Sequence, residues 1–289
     1  MKFVLFTDNL ADLSVPEACA AARRAGFDGL DLTVRPGGHV RPEEAGLKLP
    51  EARRAADAAG VVIPMISTAL TDDDSPHAEE IFAAAAHDGV RLLKLGYWDY
   101  RPFGTLAAQL DAARVKLRRL VRLGRRYAVL PCVHCHSGRF LAAGGAQFYL
   151  LLRDFAPGEV GAYVDPMHMA IEGGRAGWEM GLDLVAPWLA LVGIKDFRWL
   201  PAGRDASGRH RWRWEYCPLG EGQAPLPEFV GYLKRLQYDG VVSLHGEYKG
   251  ETSFRRLTTP QLLEQSAADL RHVKALFAGR TARPSDLEQ

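Results

Sequence analysis

Long apolar runs are missing from this sequence: no window reaches the roughly 18 uninterrupted apolar residues that would suggest a membrane-crossing helix. An excess of one charge is missing too, since 36 Lys and Arg nearly cancel 35 Asp and Glu over 289 residues. That balance leaves neither an electrostatic footprint for nucleic acid nor a polybasic handle for anionic lipid. A small molecule is therefore the expected partner. Cysteine is scarce, and Cys19, Cys132, Cys135 and Cys217 in a chain of this length make no disulfide framework. A reducing, cytoplasmic setting is expected. The opening MKFVLF has one lysine but no long apolar stretch and no small-residue cleavage site, so it reads as a first strand rather than a targeting segment.

What the sequence does hold is one pattern eight times over: a short β-rich run, a loop with Gly, Pro or Asp, then a longer stretch with helical spacing. The predicted strands are 2–7, 28–33, 61–67, 91–96, 128–134, 160–165, 190–196 and 241–245. Helices are predicted from Ser14-Val-Pro-Glu17 to Gly26 and over 41–59, 76–88, 104–126, 143–155, 175–188, 225–237 and 260–277. Ser14 with Pro16 and Glu17 is a helix start signal, and Gly60, Gly89 and Gly240 are read as helix stops. Eight β-then-α units without consecutive hairpins imply parallel strands joined by helical crossovers. Closure into a (β/α)8 TIM barrel over residues 1–278 is the expected α/β fold. The open doubly wound alternative lacks its Gly-rich dinucleotide turn, because the first strand runs into TDNLADLS. The polar tail from Gly279 to Gln289 is expected to fray.

In a barrel of this kind the chemistry lies at the C-terminal ends of the strands. Five of the nine histidines, His39, His134, His136, His168 and His245, fall there. Side chains alternate along a strand, so His134 and His136 share one face, as do His245 and Glu247. Asp165 and His168 converge if the chain turns at Pro166. Imidazoles mixed with carboxylates suit Mn, Zn, Fe or Co better than Ca or Mg. A single histidine at a strand end is more often structural; the clustering across three strand ends is what favours a site. Cys132 and Cys135 have half-site spacing but face opposite sides of a strand, which reads as core. The basic and aromatic run Arg209–Trp214 reads as a lid or subunit contact, since the neutral chain argues against single-stranded nucleic acid. Asp72–Asp74 reads as a solvated loop.

Several blocks, GFDGLDLTVRPGGHV, CHSG, DPMHMAIEGG, KDFRW, CPLGEG and SLHGEY, resemble the sugar phosphate isomerase/epimerase group of the xylose isomerase-like TIM barrels, the superfamily that includes endonuclease IV. The resemblance spans nearly the whole chain, and Asp165-x-x-His168 is its most specific piece. It implies a metal held by Glu, Asp, His and Glu at the ends of strands five to eight. Asp165 matches; the other three positions fall on His134, Gly193 and His245. Glycine cannot replace a side-chain ligand, so the resemblance implies either a rearranged set drawn from His134, His136, Asp165, His245 and Glu247, or a branch that has lost its metal. The implied chemistry is movement of a proton next to a sugar carbonyl. Glu247 is the expected base, Asp165 a ligand or second acid/base group, and His134 a proton-transfer partner. Lys195, Arg35 and His39 are expected to anchor the substrate, with Tyr97, His168 and Asp196 nearby. A dehydratase or lyase on keto-sugars or 3-keto-glycosides is the alternative, followed by a metal-free sugar-binding barrel. An AP endonuclease is disfavoured by Gly193 and by the near-zero charge. A second copy of the chain is a further expected partner, through the aromatic insert from Arg198 to Trp214.

Overall fold

The short β-rich runs become strands because Val, Ile, Leu and Phe pack well on a pleated surface buried on both faces. The structure, a computed structural model, describes residues 1–279; residues 280–289 of the tail read as fraying lie outside that range. The strands are β1 (Lys2–Phe6), β2 (Gly29–Val34), β3 (Val62–Thr68), β4 (Leu92–Lys94), β5 (Leu130–His134), β6 (Gly161–Val164), β7 (Leu189–Ile194), β8 (Asp196–Arg204), β9 (His210–Cys217) and β10 (Val241–Leu244). Eight of them close in the order β1-β10-β7-β6-β5-β4-β3-β2, all parallel, with Val4 of β1 opposite Ser243 of β10 at the closing seam. The expected TIM barrel is the observed fold.

The helices are α1 (Val15–Ala25), α2 (Ala45–Ala59), α3 (Ala78–His87), α4 (Leu106–Tyr127), α5 (Gly145–Leu152), α6 (Pro166–Val185), α7 (Leu226–Arg235) and α8 (Thr259–Phe277). The large core lies between this helical ring and the outer face of the barrel. Inside the barrel Val4, Met65, Cys132, Tyr163, Leu191 and Val241 form a smaller apolar plug. Cys132 belongs to that plug and Cys135 to the outer core, as strand alternation requires.

Local signals explain where elements start and stop. Ser14 caps α1, and its backbone N–H donates to Glu17 Oε2 at 2.7 Å, a capping arrangement worth about 0.5–2 kcal/mol. Gly60 stops α2 with φ of 69°, a left-handed conformation that suits glycine. Gly240 is not the stop expected of it. Helix α7 ends at Arg235, and Gln237, with φ of 53°, turns the chain first.

Three further expectations need correction. The helix predicted from 175 is preceded by an unexpected helical segment from Pro166, joined to it across the non-helical Gly174, because Asp165 Oδ1 accepts the backbone N–H groups of Met167 and His168 at 3.0 and 3.2 Å. Those caps hold a helical turn that the Glu172-Gly-Gly sequence conceals, and Gly174 kinks it. The predicted strand 190–196 breaks at Lys195, after which β8 and β9 form an antiparallel hairpin outside the barrel. Its aromatic face leaves Trp199 and Trp212 exposed. Asp72 is buried rather than solvated, between Lys116 and Arg119.

Candidate active site

The plug inside the barrel is capped by a polar layer. Asp31 reaches in from β2, accepting the Ser67 hydroxyl at 2.8 Å on one oxygen and the Ser243 hydroxyl at 2.9 Å on the other. The Tyr163 hydroxyl, which stands above the plug, donates to Asp31 at 3.3 Å and lies 2.8 Å from His245 Nε2. Burial drives the Asp31 carboxyl up to about 6 despite these hydrogen bonds.

Above this layer a cavity of about 190 Å³ opens at the C-terminal ends of the strands, lined among others by Arg35, Lys94, Tyr97, His134, Lys195 and Glu247. It is smaller than the roughly 300–1,000 Å³ of pockets for drug-sized ligands, and its wall is mostly polar. Such a space suits a small polyhydroxylated molecule.

Lys195 organises one wall. It follows β7 directly, and its Nζ donates to Glu247 Oε1 at 3.0 Å and lies 3.5 Å from Asp165 Oδ2. Desolvation pulls its pKa down, but Glu247 and Asp165 together outweigh that and hold it well above the ordinary lysine range. Asp165 is fully buried, and that burial raises its carboxyl against the counteracting charge of Lys195. Glu247 is the more open partner, with 28% of its side chain exposed.

The histidines stand beside the same carboxylates. Tyr97 Oη lies 2.9 Å from His134 Nδ1, leaving His134 Nε2 aimed at Asp165 Oδ2, 3.8 Å away. Ser137 Oγ holds His168 Nδ1 at 2.8 Å, and His168 Nε2 is also 3.8 Å from Asp165 Oδ2. Desolvation, reinforced by Lys195, pushes His134, His168 and His245 well below the usual imidazole range. His136, on the cavity wall, is lowered by the same causes to about 4. Near pH 7 all four are neutral. The Nε2 atoms of His134 and His168 and Asp165 Oδ2 are buried with no hydrogen-bond partner among the described residues, so they present unused polar valence toward one another.

Of the expected site residues, Glu247, His134, His136, His245, Lys195, Arg35 and Tyr97 line the cavity, and Asp165 and His168 sit against it. Two do not belong. His39 braces the loop after β2, its ring nitrogens 3.1 Å from the Leu10 carbonyl and 3.3 Å from Thr33 Oγ1. Asp196 accepts four backbone N–H groups, from Phe197, Gly220, Gly222 and Ala224, at 2.8–3.1 Å. Its oxygens are spent on closing the 220–224 turn. The residues missed are Asp31 and Tyr163 in the layer beneath and Lys94 on the wall; a lysine ending the short apolar run Leu92-Leu93-Lys94 was the available signal for the last.

The expected metal ligands are not drawn to one point. His245 is turned to Tyr163, Glu247 to Lys195, and His136 to the Ser137 carbonyl. A Cβ at Gly193 would meet Tyr163 Cε2 at 3.2 Å and Asp165 Oδ2 at 3.3 Å, so the tyrosine ring fills the space a ligand there would need. Among the described residues no three His, Cys, Asp or Glu side chains are grouped to hold an ion. The residues as they stand do not fit a divalent metal, and an ammonium occupies the place between the two carboxylates.

Comparison with known proteins agrees with this architecture. A D-psicose 3-epimerase from Clostridium cellulolyticum H10, solved with D-tagatose, superposes with a TM-score of 0.70 at 14% identity, covering 96% of this chain and 99% of that one. A 3-keto-D-glucoside 4-epimerase from E. coli gives 0.68 at 15%, covering 95% and 99%. A xylose isomerase-like TIM barrel protein from Mycobacterium smegmatis, solved in complex with magnesium, gives 0.69 at 15%, covering 97% and 98%. At such identities the likeness shows the fold. No curated protein matches the sequence. The profile of one family, described as the xylose isomerase-like TIM barrel, matches residues 19–275, and with a closed eight-stranded barrel beneath that match, the chain belongs to this family.

Proposed function

We propose that this barrel moves a proton at the carbon next to the carbonyl of a keto sugar, as an epimerase or isomerase. The observation that carries the reading is the Asp165–Lys195–Glu247 arrangement at a small polar cavity, two carboxylates held on one fixed ammonium. Epimerisation needs one group to remove a proton and another to return one. Glu247, partly open and bonded to the ammonium, is the carboxylate that abstracts. Asp165, whose proton is favoured by burial, is the second acid/base group.

When the proton leaves, negative charge grows on the carbonyl oxygen. The Lys195 ammonium is in place to stabilise it without reorganisation. His136 and Tyr97 on the cavity wall meet sugar hydroxyls, and Arg35, oriented by its ion pair with Asp8, closes the rim. The structural likeness to a D-psicose 3-epimerase and a 3-keto-D-glucoside 4-epimerase supports a keto-sugar substrate.

The test is deuterium incorporation from D2O into D-psicose, D-tagatose and D-fructose, followed by proton NMR. Exchange at one carbon with appearance of the epimer or aldose supports the proposal. Absence of exchange with every sugar, or undiminished exchange in Glu247→Gln, overturns it.

A further inference from the structure

The proton transfer leaves one cavity lysine without a role. Lys94 ends β4, its side chain is almost fully buried, and its Nζ stands on the cavity wall, 3.7 Å over the Tyr97 ring. Unlike Lys195, which is held between two carboxylates, Lys94 makes no ion pair and its Nζ donates no hydrogen bond among the described residues. A buried ammonium without a counterion is costly and is relieved by giving up its proton. Burial, helped by the charges of Arg35 and Lys195 and opposed by Asp31 and Asp8, lowers this amine to about 7. Its lone pair is then available in a space open to a small ligand, the condition for a nucleophilic lysine.

We propose that Lys94 forms a Schiff base with the carbonyl carbon of keto compounds that enter this cavity; the proposal rests on the keto-sugar reading above. The amine lone pair attacks the carbonyl carbon, a C–N bond forms, and the carbonyl oxygen leaves as water with the two amine hydrogens. Ketone and amine become imine and water, with no oxidant or reductant required. Removal of a proton from the adjacent carbon, with a proton delivered to the imine nitrogen, gives the enamine, so the carboxylates across the cavity act on the same carbon.

Reductive trapping tests this. The full chain is incubated at pH 7 with dihydroxyacetone, or with D-tagatose, in the presence of sodium cyanoborohydride, and the modified peptides are mapped by mass spectrometry. The expected result is one adduct per chain at Lys94, formed at least about tenfold faster than at the exposed Lys2, because a far larger share of this amine is neutral. Lys94→Met and Lys94→Arg lose the adduct, and a melting temperature of Lys94→Met close to wild type excludes loss of folding as the cause. Adducts spread over the surface lysines with none at Lys94 overturn the proposal. An adduct at Lys94 without any deuterium exchange sustains this assignment and sinks the proton-transfer reading, so the two fail separately.

Discussion

Lys195 Nζ donates to Glu247 Oε1 at 3.0 Å across the gap between the end of β7 and the loop after β10. This contact joins two strand ends that are neighbours in the barrel but 52 residues apart in the chain. Glu247→Gln keeps the shape and removes the basic oxygen. Deuterium exchange into the active ketose is expected to fall about 10²–10⁴-fold, with a smaller loss of stability than removal of the ammonium itself, because Asp165 still pairs Lys195. Exchange within threefold of wild type would remove Glu247 as the base.

Lys195→Met acts on both activity and stability. It deletes the fixed positive charge and leaves the buried Asp165 carboxyl without its ion pair, and breaking a buried pair costs about 3–5 kcal/mol. Urea unfolding should show a loss of that order together with loss of exchange. An unchanged unfolding midpoint would show that the ammonium is not holding the carboxylates.

Asp196 separates structure from catalysis. Its four backbone hydrogen bonds are charge-assisted, so Asp196→Ala is expected to cost about 3–5 kcal/mol. Asp196→Asn, which keeps one acceptor oxygen, should cost less. At temperatures where the variants remain folded, KM for the ketose should stay within about twofold of wild type. A large rise in KM with an unchanged melting temperature would return Asp196 to the substrate.

Asp31 predicts a pH dependence. Its folded-state pKa of about 6 lies above the unfolded value near 3.9, so between those values the folded state binds more protons. Stability linked to this group is therefore greatest below pH 4 and is lost as pH rises through 6, by roughly 3 kcal/mol at most. Asp31→Asn does not titrate. Lowering pH from 7 to 4.5 should favour wild type over Asp31→Asn in paired urea titrations, and a constant difference would place the Asp31 pKa at its ordinary value.

Gly193→Ala probes the crowding that replaces a strand-seven ligand. The added methyl meets Tyr163 and Asp165 at 3.2 and 3.3 Å, and relieving it is expected to cost about 1–3 kcal/mol. Because both neighbours touch the site, exchange should drop more than stability alone explains. Wild-type exchange and melting temperature would show that the tyrosine ring yields freely.

The barrel was legible because each strand and helix is specified locally, by β-branched runs, by Ser14 and Glu17, and by Gly60, each acting over a few residues. The start of α6 was not, since Asp165 serves at once as a helix cap and as a site residue, and the glycines at 173 and 174 mimic a loop. Asp196 and His39 show a related effect, since their polar atoms are engaged by the surrounding loops. Position at a strand end brings a side chain near the mouth, but only the packed loops decide whether its polar atoms meet the cavity or a backbone.

The eightfold β/α rhythm already determined a barrel, because it depends on local period, while the near-balance of charge and the lack of long apolar runs made a small molecule the expected partner. Tertiary structure alone decided that Lys195 lies between two carboxylates, that Tyr163 fills the space beside Gly193, and that Lys94 is buried with no ion-pair partner among the described residues. Each of these depends on distances between strands far apart in sequence, and electrostatic and steric energies are set by those distances rather than by order along the chain.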